Sequence, residues 1–170
     1  RKVSESASQC HHDGIIVLLN SDEGCGTASF YTKICAKSDL ASQILLHELG
    51  HSFGNLADEY VYADYFKYNI PDEKVLEMPN CDVEGCPKWA DITDECYLGC
   101  TSPNLYRSSQ NSIMRYVSFG RFNEVGKRAL VDEIQSRIEL ESEVHKNNPR
   151  WKSFYVNLES VSYTHLTLPT

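Results

Sequence analysis

His47-Glu48-Leu49-Gly50-His51 sets two imidazoles four residues apart, with a carboxylate beside the first. On a helix, residues four apart project from one face, so both rings can reach the same ion. Glu48 then falls outside the ligand pair, where its carboxylate can hold a water and take its proton. In a chain with six His, a chance HExxH is expected on the order of 2% of the time, so the motif needs a third ligand to support it. Gly54 tolerates positive φ and can end the helix, turning the chain so that a ligand returns to the ion. Asp58, seven residues after His51, is the natural candidate. Glu59, Glu73 and Glu77 are the alternatives, and Asp58 could instead cap a helix or orient one His from outside the ligand set. Two imidazoles, one carboxylate and an open fourth position suit catalytic zinc, which makes hydroxide available near neutral pH.

The elements that must position these residues follow from patterning. Ser38 or Asp39 can cap a helix over about 39–53 whose apolar positions Leu40, Ala41, Ile44, Leu45 and Leu49 share helical spacing. Gly14–Leu19 reads as a buried strand closed by a turn at Asn20-Ser21-Asp22, and Phe30–Cys35 as a second strand. The aromatic stretch with Tyr60, Tyr62, Tyr65, Phe66 and Tyr68 reads as a loop packed on the core in preference to a substrate-stacking surface. Residues 80–111 hold four cysteines and little regular pattern, as expected of a long loop held by covalent staples. Asn123 caps a second helix running to about Val144, with Val125, Ala129, Leu130, Ile134 and Ile138 along one face. These elements predict an α+β protein.

Composition narrows the function class. The 170 residues carry a net charge of −8, which disfavours a polyphosphate partner and hence nucleic-acid binding. A hydrophobic fraction of 41% with 24% charged residues is that of a folded globular chain. The longest aliphatic run, Ile15–Leu19, is far short of the roughly 20 residues a membrane span needs. Seven cysteines favour an oxidising compartment and therefore secretion to the cell surface or beyond. Cys81, Cys86, Cys96 and Cys100 are expected in disulfides rather than in a second zinc site, with three connectivities open. Cys10, Cys25 and Cys35 have no assignable pairing, and the odd count leaves one thiol without a partner in this chain. His11-His12 beside Cys10 is expected in an exposed loop rather than at a metal.

His-Glu-x-x-His-x-x-Gly together with the downstream Ser112-Ile113-Met114-Arg115-Tyr116 resembles the metzincin metallopeptidases, in which a Met-containing turn lies beneath the zinc. More narrowly, His47–Tyr60, HELGHSFGNLADEY, is similar to the IgA-peptidase-like metalloendopeptidase family, over roughly Asp13 to Ile138. The resemblance implies a zincin of the α/β type: a mixed sheet packed on the zinc-binding helix, then the Met-turn and a C-terminal helix. It implies one catalytic Zn2+ on His47, His51 and Asp58, Glu48 as catalytic base and Met114 as the Met-turn residue. Ala57 stands where ordinary metzincins have a third His, which makes Asp58 the family-specific ligand and lowers the formal charge of the ligated ion from +2 to +1. Tyr116 matches the zinc-proximal tyrosine of astacin-like and serralysin-like enzymes, against which stands simple packing. Met114 in its Ser-Ile-Met setting argues against a distal Glu ligand.

The resulting expectation is a secreted zinc endopeptidase acting on a protein or peptide, with specificity open, since similarity to IgA-cleaving enzymes does not make immunoglobulin the substrate. The rival is a non-catalytic adhesion or carbohydrate-binding module keeping a zinc site; an intact Glu48 favours the enzyme. Residues 1–148 are expected to form the catalytic domain, truncated at its amino end, and 149–159 the start of a β domain. The uncharged segment 160–170 resembles translated sequencing-adapter read-through and is expected to be a non-native tail, so His165 takes no part in the site.

Overall fold

The computed structural model describes residues 2–8, 12, 14–22, 26–28, 31–62 and 70–146. Residues 1–134 form one compact unit and 135–170 a second. Only the helical residues up to Lys146 are described in the second; the segments expected as a β domain and a tail, like Cys10, Cys25, Tyr65, Phe66 and Tyr68, lie outside the described residues. In chain order the elements are α1 (Lys2–Ala7), β1 (Ile16–Leu19), β2 (Thr27–Ala28), β3 (Thr32–Cys35), α2 (Ala41–Ser52), α3 (Asp72–Val75), β4 (Tyr97–Cys100), β5 (Ser102–Arg107) and α4 (Glu124–Lys146). The architecture is mixed α+β, as expected.

β3 is the middle strand of a three-stranded mixed sheet. β1 runs parallel to it, from Ile16 opposite Thr32 to Leu19 opposite Cys35, and β2 runs antiparallel, with Thr27 opposite Lys33. The strand expected over Gly14–Leu19 is shorter than its apolar run, and it is not buried. β1 is an edge strand whose Ile16 and Leu18 are 47% and 63% exposed, while α2 packs on β2 and β3. An apolar run does not by itself say which faces of a strand are covered.

α2 departs from its expected ends. Ser38 accepts a hydrogen bond from the Leu40 amide, before the helix, and no side chain caps the first turn. At the other end the positive φ belongs to Asn55 (49°), not Gly54. Gly54 is required for a different reason: a Cβ there would lie 2.9 Å from Leu130 Cδ2 and 3.1 Å from the Gly50 carbonyl. The fully buried residues of α2 are His47, Glu48 and Gly50, while the expected core positions Ile44, Leu45 and Leu49 are only half-buried. The face that carries the chemistry is therefore the face that packs.

Residues 80–111 are more regular than expected. β4 and β5 form an antiparallel hairpin, with Gly99 at φ 93° between shifted registers and Thr101 at φ 58° in the turn. The bulge at Gly99 breaks the period of two that would have betrayed the strand. Two disulfides, Cys81–Cys100 and Cys86–Cys96, choose one of the three connectivities, and Cys35 is disulfide-bonded as well. The stapled segment buries Trp89 with Cys86 and Val125, and brings Cys81, Cys100 and Leu105 against Ala57 and Val75.

α4 opens as expected: Asn123 Oδ1 accepts the Gly126 amide at 2.8 Å. Its apolar stripe serves the core only at the start. Val125 is buried, whereas Ile134 and, in the second unit, Ile138 are each 46% exposed.

The third cluster, Leu56, Ile113 and Met114 with Phe122 and Ala129, lies against α2 at Gly50. A Cβ on Gly50 would sit 2.5 Å from Met114 Sδ and 2.9 Å from the Phe122 ring. Glycine in a helix interior ordinarily costs up to about 1 kcal/mol against alanine, so alanine here trades that gain for an overlap with a packed core. Gly50→Ala is expected to destabilise the fold by about 1–3 kcal/mol net, measured by denaturant unfolding; an unchanged or raised midpoint would show that Met114 and Phe122 yield freely.

Candidate functional site

His47 and His51 sit on consecutive turns of α2, and each spends its Nδ1 on a backbone carbonyl: His47 on Ile113 at 2.9 Å, His51 on Leu56 at 2.6 Å. A carbonyl oxygen only accepts, so the proton of each neutral ring is on Nδ1 and Nε2 carries a lone pair. The two Nε2 atoms are 3.1 Å apart, with the rings edge to face at 88°. Asp58 Oδ1 lies 3.2 Å from each. This oxygen is buried and has no hydrogen-bond donor, as it must if both facing nitrogens are deprotonated. Three acceptor atoms with converging lone pairs repel one another unless a cation lies between them.

That arrangement fits a divalent ion. Two nitrogens and a carboxylate oxygen are a zinc donor set, and donors held 2.0–2.2 Å from a tetrahedral ion stand about 3.3–3.6 Å apart, close to the separations here. Among the described residues, His47, His51 and Asp58 form the group of His, Cys, Asp or Glu side chains able to hold a metal. The alternatives for the third ligand go elsewhere. Glu73 is exposed and Glu77 pairs with Lys74 at 2.7 Å. Glu59, 1% exposed, points into the protein and accepts from Ser112 at 2.5 Å, Asn123 at 2.9 Å and Asn80 at 3.2 Å.

The segment after α2 is pinned at each residue from Leu56 to Glu59. Leu56 donates its amide to the Gly50 carbonyl, and the Asn80 amide clamps both the N–H and the C=O of Ala57. Thr101 Oγ donates to the Asp58 carbonyl at 2.8 Å, and the Glu59 amide donates to the Met114 carbonyl at 2.9 Å. Asp58 Oδ2 accepts the hydroxyl of Tyr62. Met114 is buried under α2, and the residue before it in the same turn supplies the carbonyl that orients His47. Tyr116 is half-exposed, its ring 4.8 Å from the Arg115 guanidinium. Glu48 is buried beside the ligands, with Gly26 of the neighbouring chain segment so close that a Cβ would come within 3.2 Å of its Oε1.

Electrostatics agree with the geometry. Burial pushes the Glu48 carboxyl up; the two imidazoles oppose this and Asp58 adds to it. Burial works to raise Asp58 too, but the imidazoles of His47 and His51 beside one oxygen, the charge that His51 can carry and the Tyr62 hydroxyl on the other oxygen hold it well below the ordinary carboxylate range. For His51, burial disfavours the charged ring, yet Asp58 outweighs burial and the pKa lies above 6.5. In the absence of metal, a proton is the cation that Asp58 and His51 can share. Burial raises both tyrosines, Tyr60 to about 12, so both stay protonated donors at neutral pH.

Sequence reasoning missed Tyr62, Asn80, Thr101 and Ser112 as members of this site, and Glu59 as its internal tie. No spacing rule marks Asn80, Thr101 and Ser112, which reach the site from separate segments, and Tyr62, four residues after Asp58, is one aromatic among several in its stretch. His12 is exposed and belongs to no metal-competent group among the described residues.

A mixed α+β unit thus brings a His, His, Asp donor set that could hold a metal ion to one place beside a buried glutamate. The family model described as IgA Peptidase M64 matches residues 1–98, and the chain belongs to that family, which makes it a peptidase with a protein substrate. No curated protein matches it.

Because protons and metal compete for the same atoms, zinc affinity is expected to fall as pH is lowered, starting above the ordinary histidine value because His51 is raised. Zinc titration in weak buffer is expected to release protons over that range; uptake without proton release would show that the ion binds elsewhere.

Proposed function

We propose that the protein is a zinc-dependent endopeptidase of metzincin type that works outside the cell. His47, His51 and Asp58 would hold the ion, Glu48 would serve as general base, Met114 would be the Met-turn residue, and residues 1–148 would be the catalytic domain. The observation that carries this reading is the meeting of three acceptor atoms 3.1–3.2 Å apart in a chain of a peptidase family. Two disulfides support an extracellular setting. No helix among the described residues is long and apolar enough to cross a membrane.

Zinc, when bound, supplies a Lewis acid that makes water a stronger acid and stabilises negative charge on an oxygen. The chain's own residues supply the rest. Glu48 takes a proton from the attacking water as its oxygen bonds to the scissile carbonyl carbon. It then gives that proton to the amide nitrogen as the C–N bond breaks, so the carboxylate is regenerated. A carboxyl raised by burial suits both halves of this task, being basic enough to accept the proton and acidic enough to return it. The backbone bonds of His47 and His51 keep the imidazoles from turning toward the substrate. Tyr116, half-exposed with its ring 4.8 Å from the Arg115 guanidinium, would be a further hydroxyl donor toward negative charge on the substrate oxygen.

Glu48→Gln is expected to retain one equivalent of zinc and lose activity by about 100-fold or more, measured on an unbiased peptide library with and without chelator. A glutamine variant as active as wild type would overturn the general base. A zinc-loaded wild type that cleaves nothing would favour the non-catalytic binding module.

A further inference from the structure

We infer that Tyr62 is the positioning residue of the third ligand: its hydroxyl occupies one oxygen of Asp58, so that a single oxygen is offered to the two imidazoles and to the ion they would share. This rests on the reading of His47, His51 and Asp58 as the metal centre.

The division of labour between the two oxygens is visible. Oδ2 accepts the Tyr62 hydroxyl, while the buried Oδ1 has no donor and lies 3.2 Å from both Nε2 atoms. Tyr62 is itself held in place. Thr101, whose side chain bonds the Asp58 carbonyl, takes the Tyr60 carbonyl with its own amide at 3.1 Å and bridges to Val61. The Tyr60 ring meets that of Tyr62 edge to face, centroids 5.1 Å apart. One residue of the β4–β5 turn thus fixes both the ligand and the segment leading to its hydroxyl partner.

Two chemical consequences follow for a centre with a carboxylate where an imidazole could stand. A carboxylate can grip a metal with one oxygen or with two, and two would fill the position a substrate needs. With Oδ2 engaged by a phenol, Asp58 gives one donor and the fourth position stays open. The hydrogen bond also holds the side chain with Oδ1 turned toward both imidazoles, so the donor set needs no reordering when the ion arrives.

The test is Tyr62→Phe, which keeps the ring and deletes the hydroxyl. Three properties are measured beside wild type: the zinc dissociation constant by competition with a chromophoric chelator, the visible spectrum of the Co2+-substituted protein, and the unfolding midpoint of the metal-free protein. The expected result is a zinc affinity weakened by about 10–100-fold at unchanged stoichiometry, with a cobalt spectrum altered in band position or intensity because the donor set around the ion has changed, and a metal-free midpoint close to wild type. Wild-type affinity and spectrum in the variant would overturn the assignment. So would an affinity loss accompanied by a large fall in the metal-free midpoint and an unaltered cobalt spectrum, the mark of packing alone. A wild type that takes up neither zinc nor cobalt would instead sink the metal centre itself, and this assignment with it.

Discussion

Two hydrogen bonds from imidazole to backbone decide what the rest of the site can be. Because the Ile113 and Leu56 carbonyls can only accept, each holds its histidine in the Nδ1–H form and turns an Nε2 lone pair toward Asp58. Neither carbonyl belongs to α2. One comes from the turn carrying Met114 and the other from the segment that follows the helix, so the helix presents its histidines correctly only when both are packed against it. The close approach at Gly50 is part of the same constraint, since Met114 fills the space a side chain would need. The electrostatic conflict among three facing acceptors is sustained by this packing.

Asp58 and Glu59 are adjacent acids put to opposite uses. Asp58 offers an unpaired oxygen to the imidazoles. Glu59 is buried among three neutral donors from Asn80, Ser112 and Asn123, and burial leaves its pKa raised despite them. Among the described residues it makes no ion pair; the charge of Arg107 lowers its pKa, behind the three hydrogen bonds. Burying a carboxylate this way costs stability unless its hydrogen bonds are all made. In return it joins the ligand segment, the Met114 turn and the first turn of α4 through one side chain, and Asn123 serves it while also capping that helix.

The stapled hairpin is a positioning device as much as a loop. The Cys81–Cys100 bond ends one residue before Thr101, and Asn80, next to Cys81, clamps Ala57. The ligand segment is therefore gripped from two sides of one disulfide. Arg107 reinforces the hairpin by donating to the Gly99 carbonyl at 2.8 Å.

The grouping of the donor side chains was legible in the chain wherever it depends on residues close in sequence. Helical spacing unites His47 with His51, a seven-residue return reaches Asp58, Asn123 marks a helix start, and cysteine density announces staples; each is a local rule with a local cause. The strand boundaries were less legible, because an apolar run does not report burial and a glycine bulge erases alternation. Gly54 was correctly singled out for the wrong property, close approach rather than positive φ. What only the tertiary structure decided is the assignment between neighbours: Asp58 over Glu59 as the oxygen facing the imidazoles, the tautomer of each histidine, the choice of Tyr62 as the hydroxyl on Asp58, and the disulfide pairing. These depend on atoms brought from Asn80, Thr101 and the 112–116 turn and on the path of residues 55–62, both set by packing, which leaves no periodic trace in the sequence.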